Sequence, residues 1–186
     1  MLLTHRLRAA HDAILVGIGT VLADDPRLTV RLVGGLDPQP VILDSHLRMS
    51  EEAALLKEHR HPWVATLEDS EHKKIEALEG AGARLLRIPG DGQGHVALPA
   101  LLQRLAALDV KRLMVEGGAS VITGFIAQRL VNLVVITIAP VFVGGLGSID
   151  RSFSQPSAQA VFPRLEDLHA AQMGSDLIVW GTPARL

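Results

Sequence analysis

Short, almost continuously apolar runs alternate with stretches of helical periodicity through most of this sequence. Strands that are covered on both faces show such runs, because neither side of the strand meets water. Repeated strand–helix units place their strands in a mostly parallel sheet with right-handed crossovers and helices on both faces. The runs that we predict as strands are 12–17, 40–44, 63–67, 83–88, 111–116 and 132–139.

The stretches between these runs predict helices over 4–10, 70–80, 98–108 and 119–130. Ser70 is the expected N-cap of the second helix, because a serine hydroxyl can accept a hydrogen bond from a first-turn N–H group. After residue 160 the pattern changes, and 165–174 and 177–181 are predicted as an antiparallel pair at a sheet edge. The fold class is therefore α/β, a mostly parallel central sheet with an antiparallel C-terminal strand pair.

Composition excludes several classes of protein. A net charge of −2 argues against a protein that binds nucleic acid through bulk charge. The absence of cysteine excludes disulfides and thiolate metal sites. The most apolar run, 133–143, is shorter than the roughly 20 residues of a membrane span. We expect a cytoplasmic protein with no membrane or nucleic-acid partner and no bound metal.

Residues 17–31 form the first candidate site, since they follow a strand whose carboxyl end is where open α/β sheets bind ligands. Gly17 and Gly19 permit close approach of a ligand to the backbone. Thr20 offers a hydroxyl, and Arg31 offers a planar fork suited to phosphate. The same residues also fit an ordinary helix start, an Asp-Pro turn and a solvated arginine.

Residues 115–120 form the second candidate site, with two glycines between a strand and a helix. Such a turn leaves the first N–H groups of the helix free to face an anion such as a pyrophosphate. Glu116 stands at the strand tip and could accept hydrogen bonds from a ligand. An ordinary strand–helix turn has the same pattern, because this is neither a Walker loop nor a complete GxGxxG motif.

The histidines give weaker signals. His59 and His61 are close in sequence, but no accompanying carboxylates suggest a metal site. His5, His11 and His46 lie near the first candidate site and are expected mainly at the surface.

Taken together, the motifs resemble the reductase domain of the bacterial riboflavin-biosynthesis deaminase–reductases and its stand-alone archaeal and fungal counterparts. The resemblance runs over nearly the whole chain, and its long first motif is specific. The matching stretches are LRA at 7–9, DAILVGIGTVLADDPRLTVR at 12–31, VILDS at 41–45, LR at 47–48, MVEGG at 114–118, IAP at 138–140 and GG at 144–145.

The resemblance implies a dihydrofolate-reductase-like fold and NADPH-dependent reduction of a ribosylaminopyrimidine 5′-phosphate to its ribitylamino form. It implies a substrate-phosphate site built by Arg8 and Arg31, lined by Leu28, with Glu116 as a further substrate contact. Asp24 and Glu116 are the candidates for orienting or protonating the sugar. The implied cofactor contacts are Thr20, Asp24, Ser45, Gly118, Ala119, Ser120, Val121, Ile122, Thr123 and Gly124.

The resemblance also implies a homodimer, to which the apolar run 133–138 is expected to contribute. Two departures from the family pattern stand out: the zinc deaminase half is missing, and the family's opening strand with its Ser and Trp has no counterpart before Arg8. We therefore expect residues 1–186 to form a single, N-terminally truncated reductase-like domain. Three explanations fit the second departure: a start site placed too far downstream, a partner chain that fills the gap, or a catalytically silent relative.

Two further functions remain open from the sequence. One is a silent nucleotide-binding module on the same scaffold, which would bind NADPH without turnover. The other is a reductase of a different aminopyrimidine or pterin-like substrate, against which the paired arginines Arg8 and Arg31 argue mildly.

Overall fold

The computed structural model describes residues 2–59, 61–141 and 164–184. These residues fall into two compact units, residues 1–121 and residues 122–186, which are described in turn. The Gly144–Gly145 motif lies outside the described residues.

The first unit contains a five-stranded parallel sheet in the order β4-β3-β2-β1-β5. All five strands were predicted from the apolar runs, although β5 is shorter than expected. The elements are α1 Leu2–Ala9, β1 Ala13–Gly17, α2 Ile18–Asp24, β2 Gln39–Leu43, α3 Ala54–Glu58, β3 Trp63–Leu67, α4 His72–Gly80, β4 Arg84–Ile88, α5 Leu98–Ala107 and β5 Leu113–Val115; α6, Ala119–Ala127, begins in this unit.

The core of this unit is centred on β1, which is buried at every position. Its inner side chains pack with those of β2 and β3, as expected for a strand that is covered on both faces. The fully or almost fully buried members of this cluster include Ile14, Val16, Ile42, Leu55, Val64, Ile75 and Leu78.

Several helix boundaries differ from the predictions: α1 covers Leu2–Ala9, α6 ends at Ala127, and α4 begins at His72. Residue Glu71, not Ser70, precedes the first turn of α4, and no side chain caps that helix end. The Ser70 hydroxyl lies 2.7 Å from the Thr66 hydroxyl instead. A serine before a helix has both options, and the local sequence does not distinguish them.

The second unit contains an antiparallel three-stranded sheet in the order β6-β8-β7, formed by β6 Val134–Ile138, β7 Leu165–Met173 and β8 Asp176–Pro183. The predicted antiparallel pair is confirmed as β7 and β8, but β8 is the central strand of this separate sheet and does not lie at a sheet edge. The prediction for 132–139 was right about the strand but wrong about its surroundings: β6 pairs antiparallel with β8, and Val135, Ile136 and Ile138 are exposed. Apolar content reveals a strand but not its partners, so the pattern mistook this strand for one covered on both faces.

Candidate active site

The strand order of the parallel sheet reverses at β1, because β2, β3 and β4 follow one another on one side while β5 lies on the other. Ligands of open parallel sheets bind outside the carboxyl ends of the strands at such a reversal. Gly17 ends β1, and Glu116 directly follows β5 and donates its N–H to the Leu15 carbonyl at 2.9 Å. Both candidate motifs therefore lie at the reversal point.

The diglycine turn after β5 packs closely against α2. Gly117 and Gly118 have φ angles of +74° and +79°, a conformation that favours glycine. A Cβ atom added to either residue would lie 3.3–3.4 Å from the Thr20 hydroxyl oxygen, and one added to Gly17 would lie 2.7 Å from the Val121 side chain. The glycines thus permit the backbone of the turn to approach α2, and α6 begins directly after them.

A bidentate ion pair joins Arg8 of α1 to Glu116. Arg8 donates from Nε to one carboxylate oxygen at 2.9 Å and from Nη2 to the other at 2.6 Å. Its Nη1 donates to the Thr29 carbonyl at 3.1 Å. Side-chain exposure is 10% for Arg8 and 29% for Glu116, so the pair is largely removed from water. Arg8 therefore links α1, the segment before Arg31 and the turn after β5.

The segment 25–31 carries the remaining residues that we assigned to the substrate phosphate. Leu28 is 2% exposed and has a φ of +53°, so its side chain is buried although its backbone is strained. Arg31 is exposed, and its backbone N–H donates to Nδ1 of His5 at 3.2 Å. The segment thus presents an accessible guanidinium from a backbone that is held in place.

His5 is the residue whose position the sequence did not indicate. We expected a surface position, but the side chain is only 3% exposed and lies among charged groups. Burial and the positive charges of Arg8 and Arg31 lower the pKa of His5 below its ordinary value. A lone histidine on a short helix gives no signal of this burial, because the burial depends on a segment about 25 residues away.

Ser45 lies just beyond the carboxyl end of β2, next to β1 in the sheet. Its hydroxyl oxygen accepts the Val96 N–H at 3.1 Å, which leaves the hydroxyl proton available to a ligand. Asp44 is fully buried, and one carboxylate oxygen accepts the N–H groups of Arg48 and Met49. Its other oxygen has no hydrogen-bond partner among the described residues. Asp44 therefore holds the turn that presents Ser45.

Asp24 ends α2 one turn after Thr20 and is exposed. No hydrogen bond or ion pair joins it to Glu116 within the part of the chain that the structure describes. The residues of α6 assigned to the cofactor differ in burial: Ser120 is exposed and Thr123 is buried.

The opposite end of the sheet has a shallow concavity of about 390 Å³ that includes Asp12, Asp37 and His59. Its polar atoms already have backbone partners. Asp12 accepts the N–H groups of Lys111 and Arg112, which lower the pKa of its carboxyl group, and Asp37 accepts that of Val30. His59 Nε2 lies 2.6 Å from the Arg27 carbonyl. These contacts indicate a structural role for this end.

Named relatives align with most of the length of this sequence. A protein of Archaeoglobus fulgidus named 2,5-diamino-6-ribosylamino-4(3H)-pyrimidinone 5′-phosphate reductase is 40% identical over 153 residues, which cover 77% of this chain and 68% of that protein. A protein of the same name from Methanothermobacter thermautotrophicus is 35% identical over 181 residues, covering 94% of this chain and 81% of that protein.

Solved structures show the same fold. The riboflavin biosynthesis reductase Rib7 of Saccharomyces cerevisiae superposes with a TM-score of 0.75 at 26% identity, covering 98% of this chain and 80% of that chain. RibD of Acinetobacter baumannii gives a TM-score of 0.76 at 25% identity, and this chain spans about half of it, 49%. The expected dihydrofolate-reductase-like fold is confirmed. The family model of the RibD C-terminal domain matches residues 2–179, so the chain belongs to the RibD C-terminal domain family.

Proposed function

We propose that the protein is an NADPH-dependent oxidoreductase that reduces a ribosylaminopyrimidine 5′-phosphate to its ribitylamino form in riboflavin biosynthesis. The observation that carries the proposal is the placement of the diglycine turn and the Arg8–Glu116 pair at the reversal point of the sheet. The names of the relatives from Archaeoglobus fulgidus and Methanothermobacter thermautotrophicus support the same substrate class.

The residues present fit a dinucleotide. The left-handed turn at Gly117 and Gly118 leads into α6, whose first N–H groups have no partner within the helix. A pyrophosphate is suited to such a helix start. Thr20, Ser45 and Asp24 would hold the rest of the cofactor, and Ser45 retains a hydroxyl proton to donate. The bound NADPH would supply the hydride to the sugar carbon C1′.

The protein's own part is binding and orientation. Arg31 would bind the substrate phosphate with its exposed guanidinium, and the remaining N–H groups of Arg8 would face the same anion. Both carboxylate oxygens of Glu116 already accept hydrogen bonds from Arg8, so Glu116 is better suited to accept from the substrate than to give up a proton. We therefore assign the orientation of the sugar to Glu116, and its orientation or protonation to Asp24.

A cofactor oxidation assay tests the proposal. Purified protein is mixed with the ribosylaminopyrimidine phosphate and either NADPH or NADH, and loss of the reduced nicotinamide absorbance is followed. Saturable oxidation of NADPH, with formation of the ribitylamino product by mass spectrometry, supports the proposal. Calorimetric binding of NADPH without turnover would instead support a silent nucleotide-binding relative. Turnover only with an unphosphorylated pterin-like compound would assign a different substrate.

We also propose that the protein is a homodimer and that β6 contributes to its interface. Ile136 and Ile138 lie on one face of β6, next to exposed Leu177 of β8. An apolar sheet face that no described residue covers is costly in water. Cytoplasmic location and the single-domain organisation over 1–186 remain predictions. No helix within the described ranges is long and apolar enough to cross a membrane.

The substitution Ile138→Lys is expected to convert the dimer to a monomer, because it places a charge in the apolar face. The control is Thr137→Lys, which introduces the same charge on the opposite face of the same strand. Light scattering at micromolar concentrations measures the mass, and circular dichroism checks the fold. A monomeric wild type, or equal dissociation of both variants, would contradict this interface.

A further inference from the structure

His5 connects α1 to the backbone at Arg31. The residue is 3% exposed, and its Nδ1 accepts the Arg31 N–H at 3.2 Å. Arg8, three residues later on the same helix, donates to the Thr29 carbonyl at 3.1 Å. Two neighbouring side chains of α1 therefore hold the backbone of one three-residue stretch.

The hydrogen bond fixes the chemical form of His5. An Nδ1 atom that accepts a backbone N–H carries no proton, so the neutral ring carries its proton on Nε2. A protonated ring would turn an N–H group toward the Arg31 N–H. The groups that act on the ring are Arg8 on its own helix, Arg31, Glu116 and the terminal amino group. Burial and the positive members of this set lower the pKa of His5 and favour the neutral acceptor form.

The segment carrying Arg31 has four anchors along its length. Leu28 is buried, the Thr29 carbonyl accepts from Arg8, the Val30 N–H donates to Asp37 at 2.6 Å, and the Arg31 N–H donates to His5. Among these four consecutive residues, only Arg31 is exposed. The position of the Arg31 backbone limits the region that its guanidinium can reach. The hydrogen bond from the Arg31 N–H to His5 therefore sets that region.

We propose that His5 is a positioning residue: it fixes the backbone of Arg31 and thereby sets the reach of the Arg31 guanidinium toward the substrate phosphate. The inference rests on the proposed function, in which Arg31 binds that phosphate. In this role His5 does not touch the substrate and acts through one hydrogen bond, which it accepts from the Arg31 N–H.

The test compares His5→Leu, which removes the acceptor, with His5→Asn, whose amide oxygen occupies the place of Nδ1. In His5→Leu the KM for the phosphorylated substrate should rise roughly fivefold, the effect of one lost hydrogen bond, while kcat and the KM for NADPH change little. His5→Asn should restore most of the loss. The control is His11→Leu, whose ring has its one hydrogen bond among the described residues with the Leu7 carbonyl, and its KM should equal that of the wild type.

A double-mutant cycle identifies the route of the effect. In an Arg31→Ala background, His5→Leu should produce no further rise in KM, since the guanidinium that His5 positions is gone. Additive effects, a His5→Asn variant as impaired as His5→Leu, or equal losses in kcat and both KM values would overturn the proposal. If His5→Leu does not fold, His5→Gln replaces it, because its amide lies beyond the Nδ1 position.

A second measurement separates this inference from the proposed function. Titration with inorganic phosphate, followed through the amide resonance of Arg31, needs no turnover. If the wild type shows no reductase activity, the proposed function fails, but weaker phosphate binding in His5→Leu than in His5→Asn still supports the positioning role. Equal phosphate binding by both variants overturns it.

Discussion

Replacing Glu116 by glutamine is expected to lower the free energy of unfolding by about 2–3 kcal/mol. Removing one partner of a buried ion pair costs about 3–5 kcal/mol, because the other charge remains desolvated and unpaired. The loss of stability should be smaller than this, since 29% of the Glu116 side chain is exposed. It should still be substantial, because the Arg8 side chain that loses its charged partner is only 10% exposed. For a chain of this size the melting temperature should fall by roughly 5–10 °C.

Urea denaturation measures this loss, and Glu58→Gln is the matched control. Glu58 pairs with Arg27 at 3.4 Å, but the exposed fractions of the two side chains are 36% and 62%. An exposed pair contributes about 0–1 kcal/mol, so the control should be nearly neutral. Arg8→Lys should be destabilising as well, because an ammonium group cannot make the two parallel hydrogen bonds of a guanidinium. A Glu116→Gln variant as stable as the Glu58→Gln control would show that the Arg8–Glu116 pair adds no stability.

Replacing Arg31 by alanine is expected to weaken binding of the phosphorylated substrate by about 1.5–3 kcal/mol, a rise in KM of roughly 10- to 150-fold. The guanidinium is exposed and makes no hydrogen bond or ion pair within the described residues, so the loss should fall on ligand binding rather than on stability. The KM for NADPH should stay nearly unchanged. Steady-state kinetics with both substrates varied gives the two constants separately.

The control for this prediction is Arg27→Ala, which removes an exposed arginine four residues earlier in the same segment. Its KM for the phosphorylated substrate should remain close to that of the wild type. A dephosphorylated substrate provides a second comparison, since the wild type and Arg31→Ala should then bind it equally weakly. If Arg31→Ala leaves the KM for the phosphorylated substrate unchanged, Arg31 is not a phosphate ligand.

The parallel sheet was predictable because its strands are apolar throughout. The run from Asp12 to Gly17 is unambiguous, and its burial at every position of β1 follows from cover on both faces. The strand β6 shows the limit of the same reasoning. Its composition is equally apolar, but its partner β8 lies about 40 residues later, and the exposure of Ile136 depends on what covers the sheet.

The site was predictable as a set of residues but not as a network. Gly117 and Gly118 indicate a left-handed turn by themselves, and Arg31 indicates an anion by its chemistry. By contrast, Arg8 and Glu116 are separated by 108 residues, and no local pattern pairs them. His5 was missed for the same reason: its acceptor role exists only once the segment before Arg31 lies against α1.

The order of the strands has a consequence for the way the chain is made. Strand β1 leaves the ribosome before its neighbour β5, which lies about 100 residues later, where Ala13 pairs with Leu113. Such long-range pairing is slow, because the chain must close a large loop before any contact forms. Until then one flank of an entirely apolar strand is open to other chains. We therefore expect the nascent protein to be more prone to aggregation between the synthesis of β1 and that of β5 than after β5 has paired.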